Sequence, residues 1–260
     1  MPYTFEFIRV TVTHRVGWLE YNRPPNNAFN QQMVREVYDA LGELLADRQA
    51  RVIVFGSALE KHFSVGADVQ IFKGIGEAGM AKWVDSVHGM VRRMREARKP
   101  LLAAIHGTAV GGGLEMTLHC DVRFAAEDAR LGQPEIAIGF IPPVGATQAL
   151  ARLIGRPRAI RYLYDGQLIP ARQALDWGLV DELVPRGTLR AHVQAYAEGL
   201  AAKPAAALYA IRNAITEGGP LPFRHGLEIE REHAVKLAGT PDFAEGVSAF
   251  LEKRKPVFEE

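Results

Sequence analysis

Between Leu101 and Cys120 the chain reads LLAAIHGTAVGGGLEMTLHC. An apolar run of strand length, preceded by Pro100, ends in glycine. Three consecutive glycines, Gly111, Gly112 and Gly113, then lead into Leu114, Met116, Leu118 and Cys120, the pattern of a helix buried on most sides. Glycine loses more backbone freedom on folding than any other residue, so three in a row require a reason. Something must approach that backbone closely. A buried strand, a glycine turn and a buried helix in succession point to an α/β chain.

The rest of the chain agrees with that class. Alternation over Phe5 to Val12, a turn near His14 to Gly17 and the run from Trp18 predict an opening β-hairpin. Asn30 to Asp47 reads as an amphipathic helix with Met33, Val37, Leu41 and Leu44 as its stripe. A buried strand follows over Arg51 to Ser57, then a loop, then helical sequence from Val69 to Arg98. A further strand is expected at Asp121 to Glu127. From Thr147 the pattern is mostly helical, interrupted at Gly178 to Pro185, and from about Leu189 it is helical without strand signals. The domain reading is therefore a core over 1–188 and a helical region over 189–260.

Composition limits the partners. With 31 basic against 30 acidic residues the chain has no electrostatic footprint for nucleic acid or an anionic membrane. Its basic clusters, Arg92 to Lys99 and Glu252 to Lys255, contain glutamate and read as solvated helix faces. The one cysteine, Cys120, excludes an internal disulfide and fits a reducing compartment. It adjoins His119, but no second Cys/His pair stands at ligand spacing, so no metal is expected. No apolar run approaches the roughly 20 residues of a membrane span, and the N-terminus lacks the layout of a targeting peptide. A cytoplasmic protein is expected.

Two motif readings fail on context. Gly74 to Gly79 matches G-x-G-x-x-G, but helical sequence precedes it where the dinucleotide motif needs a strand. His62, Ser64 and Asp68 have the residue types of a hydrolytic triad, yet crowding them into one short loop makes the mutual geometry improbable. The glycine run is stronger. If a helix begins near Gly112, its first N–H groups have no intrahelical partner, and without a Cβ a ligand oxygen can reach them. Close helix–strand packing is the competing explanation, good for one glycine and poor for three. The loop Phe63 to Asp68 could supply a second N–H, and one such donor is typically worth about 3 to 4 kcal/mol to a developing oxyanion. Glu115 follows the glycines, and Glu135 sits behind Pro134 amid apolar sequence.

At these residues the sequence resembles the enoyl-CoA hydratase/isomerase, or crotonase, family. FSVGAD, IHGTAVGGGLEMTLHCDVRFA, LGQPEIAIGFIPPVGATQALARLIG, GLVDELVP and FLEKRKPVF occur in the family's order over essentially the whole chain. The resemblance implies a crotonase-like spiral of ββα units, a C-terminal helical trimerisation region, and a homotrimer or a hexamer made as a dimer of trimers. It implies reversible hydration of a 2-enoyl-CoA thioester in acyl-CoA and fatty acid metabolism, without a separate cofactor, since coenzyme A is part of the substrate. The backbone N–H groups of Ala67 and Gly112 would form the oxyanion hole. Glu115 would help activate the water that attacks Cβ, and Glu135 would protonate Cα. The first helical turn is expected to favour the charged form of Glu115, while two close carboxyls should leave one with a raised pKa.

The substrate-binding expectation comprises Gly66 and Asp68 beside Ala67, Pro143, Trp83, and Arg23 and Lys61 as partners for CoA phosphates. Arg23 and Lys61 stand in for two family lysines whose positions hold Pro25 and Gln70 here. Phe72, Trp83, Val87 and Met90 read either as acyl-pocket walls or as ordinary core. In PPVGATQ, Pro143 replaces a family glycine whose N–H helps hold the catalytic water; proline has no such donor. A bulkier, branched or cyclic substrate, or Δ3,Δ2-enoyl isomerisation through Glu135, is the alternative. A non-catalytic relative that binds RNA or scaffolds a complex fits poorly with the neutral charge and the two retained glutamates.

Overall fold

The computed structural model describes residues 4–258. The chain opens on an antiparallel hairpin, β1 (Ile8–Thr13) and β2 (Val16–Tyr21). Its turn residues His14 and Arg15 both have positive φ, 49° and 65°, which is the type I′ pattern that matches strand twist. α1 (Gln31–Ala46) starts where the Asn30 side chain accepts the Met33 N–H, and buries the expected stripe.

Three units then repeat one pattern. β3 (Val52–Ser57) and β4 (His62–Ser64) precede α2 (Gly76–Arg95); β5 (Leu101–Ile105) and β6 (Thr108–Val110) precede α3 (Gly112–Thr117). β7 (Val122–Ala126) and β8 (Arg130–Gly132) precede α4 (Ala146–Leu153) and α5 (Arg156–Asp165). β9 (Leu168–Pro170), α6 (Ala171–Asp176) and β10 (Glu182–Val184) complete the core. The first strand of each unit joins a six-stranded sheet of order β1-β2-β3-β5-β7-β10, and the second joins a four-stranded sheet of order β4-β6-β8-β9. Pairing from β2 to β10 in the large sheet is parallel throughout. The strands β3 and β5 are apolar and buried along almost their whole length because structure covers both faces. Each buried Leu, Ile or Phe there contributes roughly 1.5 to 3 kcal/mol.

Consecutive helices follow: α7 (Leu189–Ala201), α8 (Ala205–Gly218), α9 (Phe223–Ala238) and α10 (Pro241–Glu252). α7 lies over the large sheet, where Trp18 Nε1 donates to Gln194 and Arg190 pairs with Glu20 at 2.5 Å. α8 is held through buried Arg212, which pairs with Asp121 and donates to the carbonyls of Met94, Arg95 and Ala97 at the end of α2.

Two expectations change in detail. The helical sequence from Val69 is broken into a 3₁₀ turn (Val69–Phe72) and α2, with Gly74 between them and Gly76, the first residue of α2, both at positive φ. The G-x-G-x-x-G match is therefore punctuation ahead of a helix, with no strand before it. The strands of the small sheet are only three residues each, too short for period-two alternation to register.

Candidate active site

The start of α3, the loop after β4, the turn at Glu135 and the loop before α4 surround one cavity of about 240 Å³. Gly111 and Gly112 line it, and the three glycines are needed for different reasons. Gly111 has φ 52°, and a Cβ there would sit 2.8 Å from Glu135 Oε1. A Cβ on Gly113 would lie 2.5 Å from Ser64 Cβ, so this glycine serves helix–strand packing. A Cβ on Gly112 would meet only Phe29 at 3.5 Å and Val144 at 3.7 Å, ordinary contact distances. Protein packing therefore does not demand glycine at 112; what a side chain would take is space at the cavity wall.

Gly66, at φ 84°, brings the second loop against the first, since its Cβ would stand 3.1 Å from the Gly112 nitrogen. Among the described residues, the N–H groups of Ala67 and Gly112 donate to no protein acceptor, and both residues line the cavity. The neighbouring polar residues are otherwise engaged. Ser64 Oγ donates to the Asn27 carbonyl and accepts from the Gly66 N–H, and Asp68 pairs with Arg23 at 3.1 Å. His62, Ser64 and Asp68 thus form no hydrogen-bonded triad.

Glu115 is fully buried. Its Oε1 accepts from the Val144 N–H at 2.7 Å and the Ala146 N–H at 3.1 Å, leaving Oε2 without a protein partner among the described residues. Burial, and then the charge of Glu135, push its pKa up to about 8. Burial also raises Glu135 to about 7. Glu135 therefore ionises first, and its charge helps Glu115 keep its proton. The expected preference of Glu115 for its charged form is overturned: the first helical turn and two N–H donors are outweighed by complete desolvation. Buried Gln133, with its amide nitrogen toward Glu135, donates to both carboxylate oxygens at 3.3 and 3.1 Å.

The remaining wall is apolar. Phe72, Trp83, Val87 and Met90 all line it, and Trp83, Val87 and Met90 are also buried core residues, so both readings of that stripe hold at once. Phe72 meets Trp83 edge-on at 5.6 Å and Phe140 at 6.2 Å. Phe29 and Phe140, which sequence reasoning passed over, come from distant segments and complete the aromatic lining. Pro143 and Val144 line the cavity as well. Arg23 and Lys61 do not. Arg23 donates to Asp68 and the Ala28 carbonyl, so it braces the Ala67 loop, and the Lys61 side chain is exposed outside the cavity. Cys120 is buried with its thiol pKa pushed up, and no cluster of three His, Cys, Asp or Glu among the described residues could hold a metal ion. No helix there is long and apolar enough to cross a membrane.

Residues 12–260 match the family model described as enoyl-CoA hydratase/isomerase. The chain is 34% identical to a probable enoyl-CoA hydratase of Rhizobium meliloti, covering 98% of each. It is 34% identical to the 2,3-dehydroadipyl-CoA hydratase of Escherichia coli K12, covering 96% of this chain and 97% of the relative. The crystal structure of an enoyl-CoA hydratase from Bacillus anthracis superposes with a TM-score of 0.93 at 33% identity, over 98% of this chain and 99% of that one. On the sequence match, the ββα spiral and the glycine-built cavity together, the chain belongs to the enoyl-CoA hydratase/isomerase family.

Proposed function

We propose that the protein is a hydro-lyase that reversibly adds water across the C2=C3 bond of a 2-enoyl-CoA thioester, giving a 3-hydroxyacyl-CoA. One observation carries this reading: buried Glu115 and half-buried Glu135, whose charge opposes ionisation of Glu115, share an apolar cavity with two backbone N–H groups that have no protein acceptor among the described residues. The Ala67 and Gly112 N–H groups receive the thioester oxygen as it becomes an enolate. Glu115 takes a proton from water, whose oxygen bonds to C3, while Glu135 delivers a proton to C2. The pair begins and ends with one proton, so the reaction balances without a redox cofactor. In the free enzyme burial favours that proton on Glu115, and the shared water is the route by which it reaches Glu135.

The acyl group in this reading is a compact, uncharged hydrocarbon. Among the described residues, the ionisable groups of the lining are Glu115 and Glu135, so a charged acyl tail finds no counter-charge there. An apolar cavity of about 150 Å³ accommodates benzene, and about 240 Å³ suits an enoyl unit bearing a branched or ring-sized group. Gly66 and Asp68 support the Ala67 loop, Trp83 and Pro143 shape the acyl end, and Lys61 is left as the contact for CoA phosphates. The helices over 189–260 supply the surface for a trimer or a dimer of trimers, in the cytoplasm.

A second reading, Δ3,Δ2 isomerisation by Glu135, is favoured by Pro143, which offers the water no N–H. A panel of straight, branched, cyclic and ω-carboxylated 2-enoyl-CoA thioesters separates the two. Loss of the conjugated thioester absorbance with a branched or cyclic substrate supports hydration. Gain of that absorbance from a 3-enoyl-CoA, with none of the 2-enoyl panel consumed, would replace it with isomerisation.

A further inference from the structure

His119 is a buried histidine that the proposed chemistry does not use. It stands two residues beyond the end of α3, the helix that carries Glu115. Its Nε2 lies 2.7 Å from the Val144 carbonyl. A carbonyl only accepts, so Nε2 carries the proton, and Nδ1 is left buried without a partner among the described residues. The imidazole also occupies the space beneath Gly145: a Cβ there would stand 2.9 Å from His119 Cε1, and Gly145 itself has φ 95°. The turn clamped in this way is the one whose Val144 and Ala146 N–H groups hold Glu115 Oε1. From the other side His88 Nε2 lies 2.9 Å from the Pro143 carbonyl, but His88 is exposed.

We infer that His119 is a positioning residue: by fixing the Val144–Ala146 turn, its Nε2–H sets the orientation and proton affinity of the Glu115 carboxyl. Several observations support a role beyond packing. The imidazole is kept neutral, since burial depresses its pKa to about 4, so it brings no charge to the turn and Nε2–H is its one donor. It spends its one donor on the residue whose own N–H reaches Glu115. Glu135 is the ionisable group that Glu115 faces across the cavity. Without the clamp, the turn is free to withdraw the two N–H groups that stabilise the Glu115 carboxylate, and the carboxyl then holds its proton more tightly.

The inference rests on the reading of Glu115 as a catalytic group, and the test separates the two. His119→Gln keeps a donor near the Nε2 position, whereas His119→Met fills the space without one. The hydration rate is followed against pH, with binding of a saturated acyl-CoA measured beside it. His119→Met is expected to lower kcat about ten- to a hundredfold, to move the alkaline limb of the pH–rate profile upward, and to change acyl-CoA affinity less than about twofold. His119→Gln restores most of the rate and the wild-type profile. An unchanged profile in His119→Met, or a His119→Gln variant as impaired as His119→Met, overturns the inference. If His119→Met does not fold, His119→Asn, too short to reach Val144, replaces it and is read by the same two criteria. If Glu115→Gln is itself fully active, the catalytic reading of Glu115 has failed and this inference falls with it. If Glu115→Gln is inactive and the His119 profiles are unmoved, only this inference has failed.

Discussion

At the scale of single residues, the glycines of the 111–113 run separate by mechanism. Gly112→Ala should fold with an unchanged or slightly higher Tm, since alanine lowers chain entropy by up to about 1 kcal/mol where the backbone permits it and only ordinary contacts await the methyl. Its kcat/KM should fall at least tenfold, because that methyl enters the cavity. Gly113→Ala should instead lose about 1 to 3 kcal/mol of stability from overlap with Ser64. Thermal melts beside steady-state rates would distinguish them, and a destabilised, active Gly112→Ala would contradict the assignment. Glu115 makes a second prediction. Its carboxyl ionises near 4.5 in the unfolded chain and at about 8 in the folded one, so the unfolded state sheds the proton first. Folding stability therefore declines as pH rises from about 4.5 and the loss is complete above about 8. Glu115→Gln removes the burden, so its Tm advantage over wild type should widen from about pH 5 to about pH 8.5. An advantage independent of pH would contradict it.

At the scale of elements, legibility followed length. α1, β3 and β5 were readable because sixteen-residue periodicity or a continuous apolar run is a statistical signal. The three-residue strands of the small sheet were not, though they bring the Ala67 loop to the glycine run. Glu115 and Glu135 stood out beside the glycine run and behind Pro134, whereas Ala67 and Gly112 were singled out as oxyanion donors only through the family resemblance. The contacts of Gln133, His119 and Arg23 were hidden, since only the fold creates them. α2 was legible as a stripe but not as core or wall, and Trp83 is both. Trp83→Leu should shift preference toward longer acyl chains, with kcat/KM for a straight-chain substrate rising relative to a compact one. A preference unchanged across a chain-length series would remove Trp83 from the acyl wall.

At the scale of the whole molecule, the spiral brings Ala67, Gly112, Glu115 and Glu135 from its three units to one cavity and leaves apolar side chains outside. Ile215, Phe223, Phe250 and Leu251 are each at least 70% exposed on or near α8 to α10. Isolated apolar residues at a surface are ordinary, but this many on one helical region call for a partner surface, and the family resemblance names it as a second copy. Sedimentation should show a trimer or its double, and Phe223→Glu combined with Phe250→Glu should dissociate it without unfolding the subunit. A monomeric wild type at micromolar concentration would contradict that assembly.

In the proposed reaction one proton shared by Glu115 and Glu135 does the chemistry. The most direct test is kcat/KM for the best 2-enoyl-CoA against pH, with Glu115→Gln and Glu135→Gln run in parallel. With the two carboxyls at about 8 and about 7, kcat/KM should follow a narrow bell. The acid limb marks uptake of a second proton by the pair, the alkaline limb marks loss of the shared proton, and each variant is slower by about a hundred- to ten-thousandfold. A rate that stays flat from about pH 6 to about pH 9, or either variant retaining near wild-type activity, would contradict it.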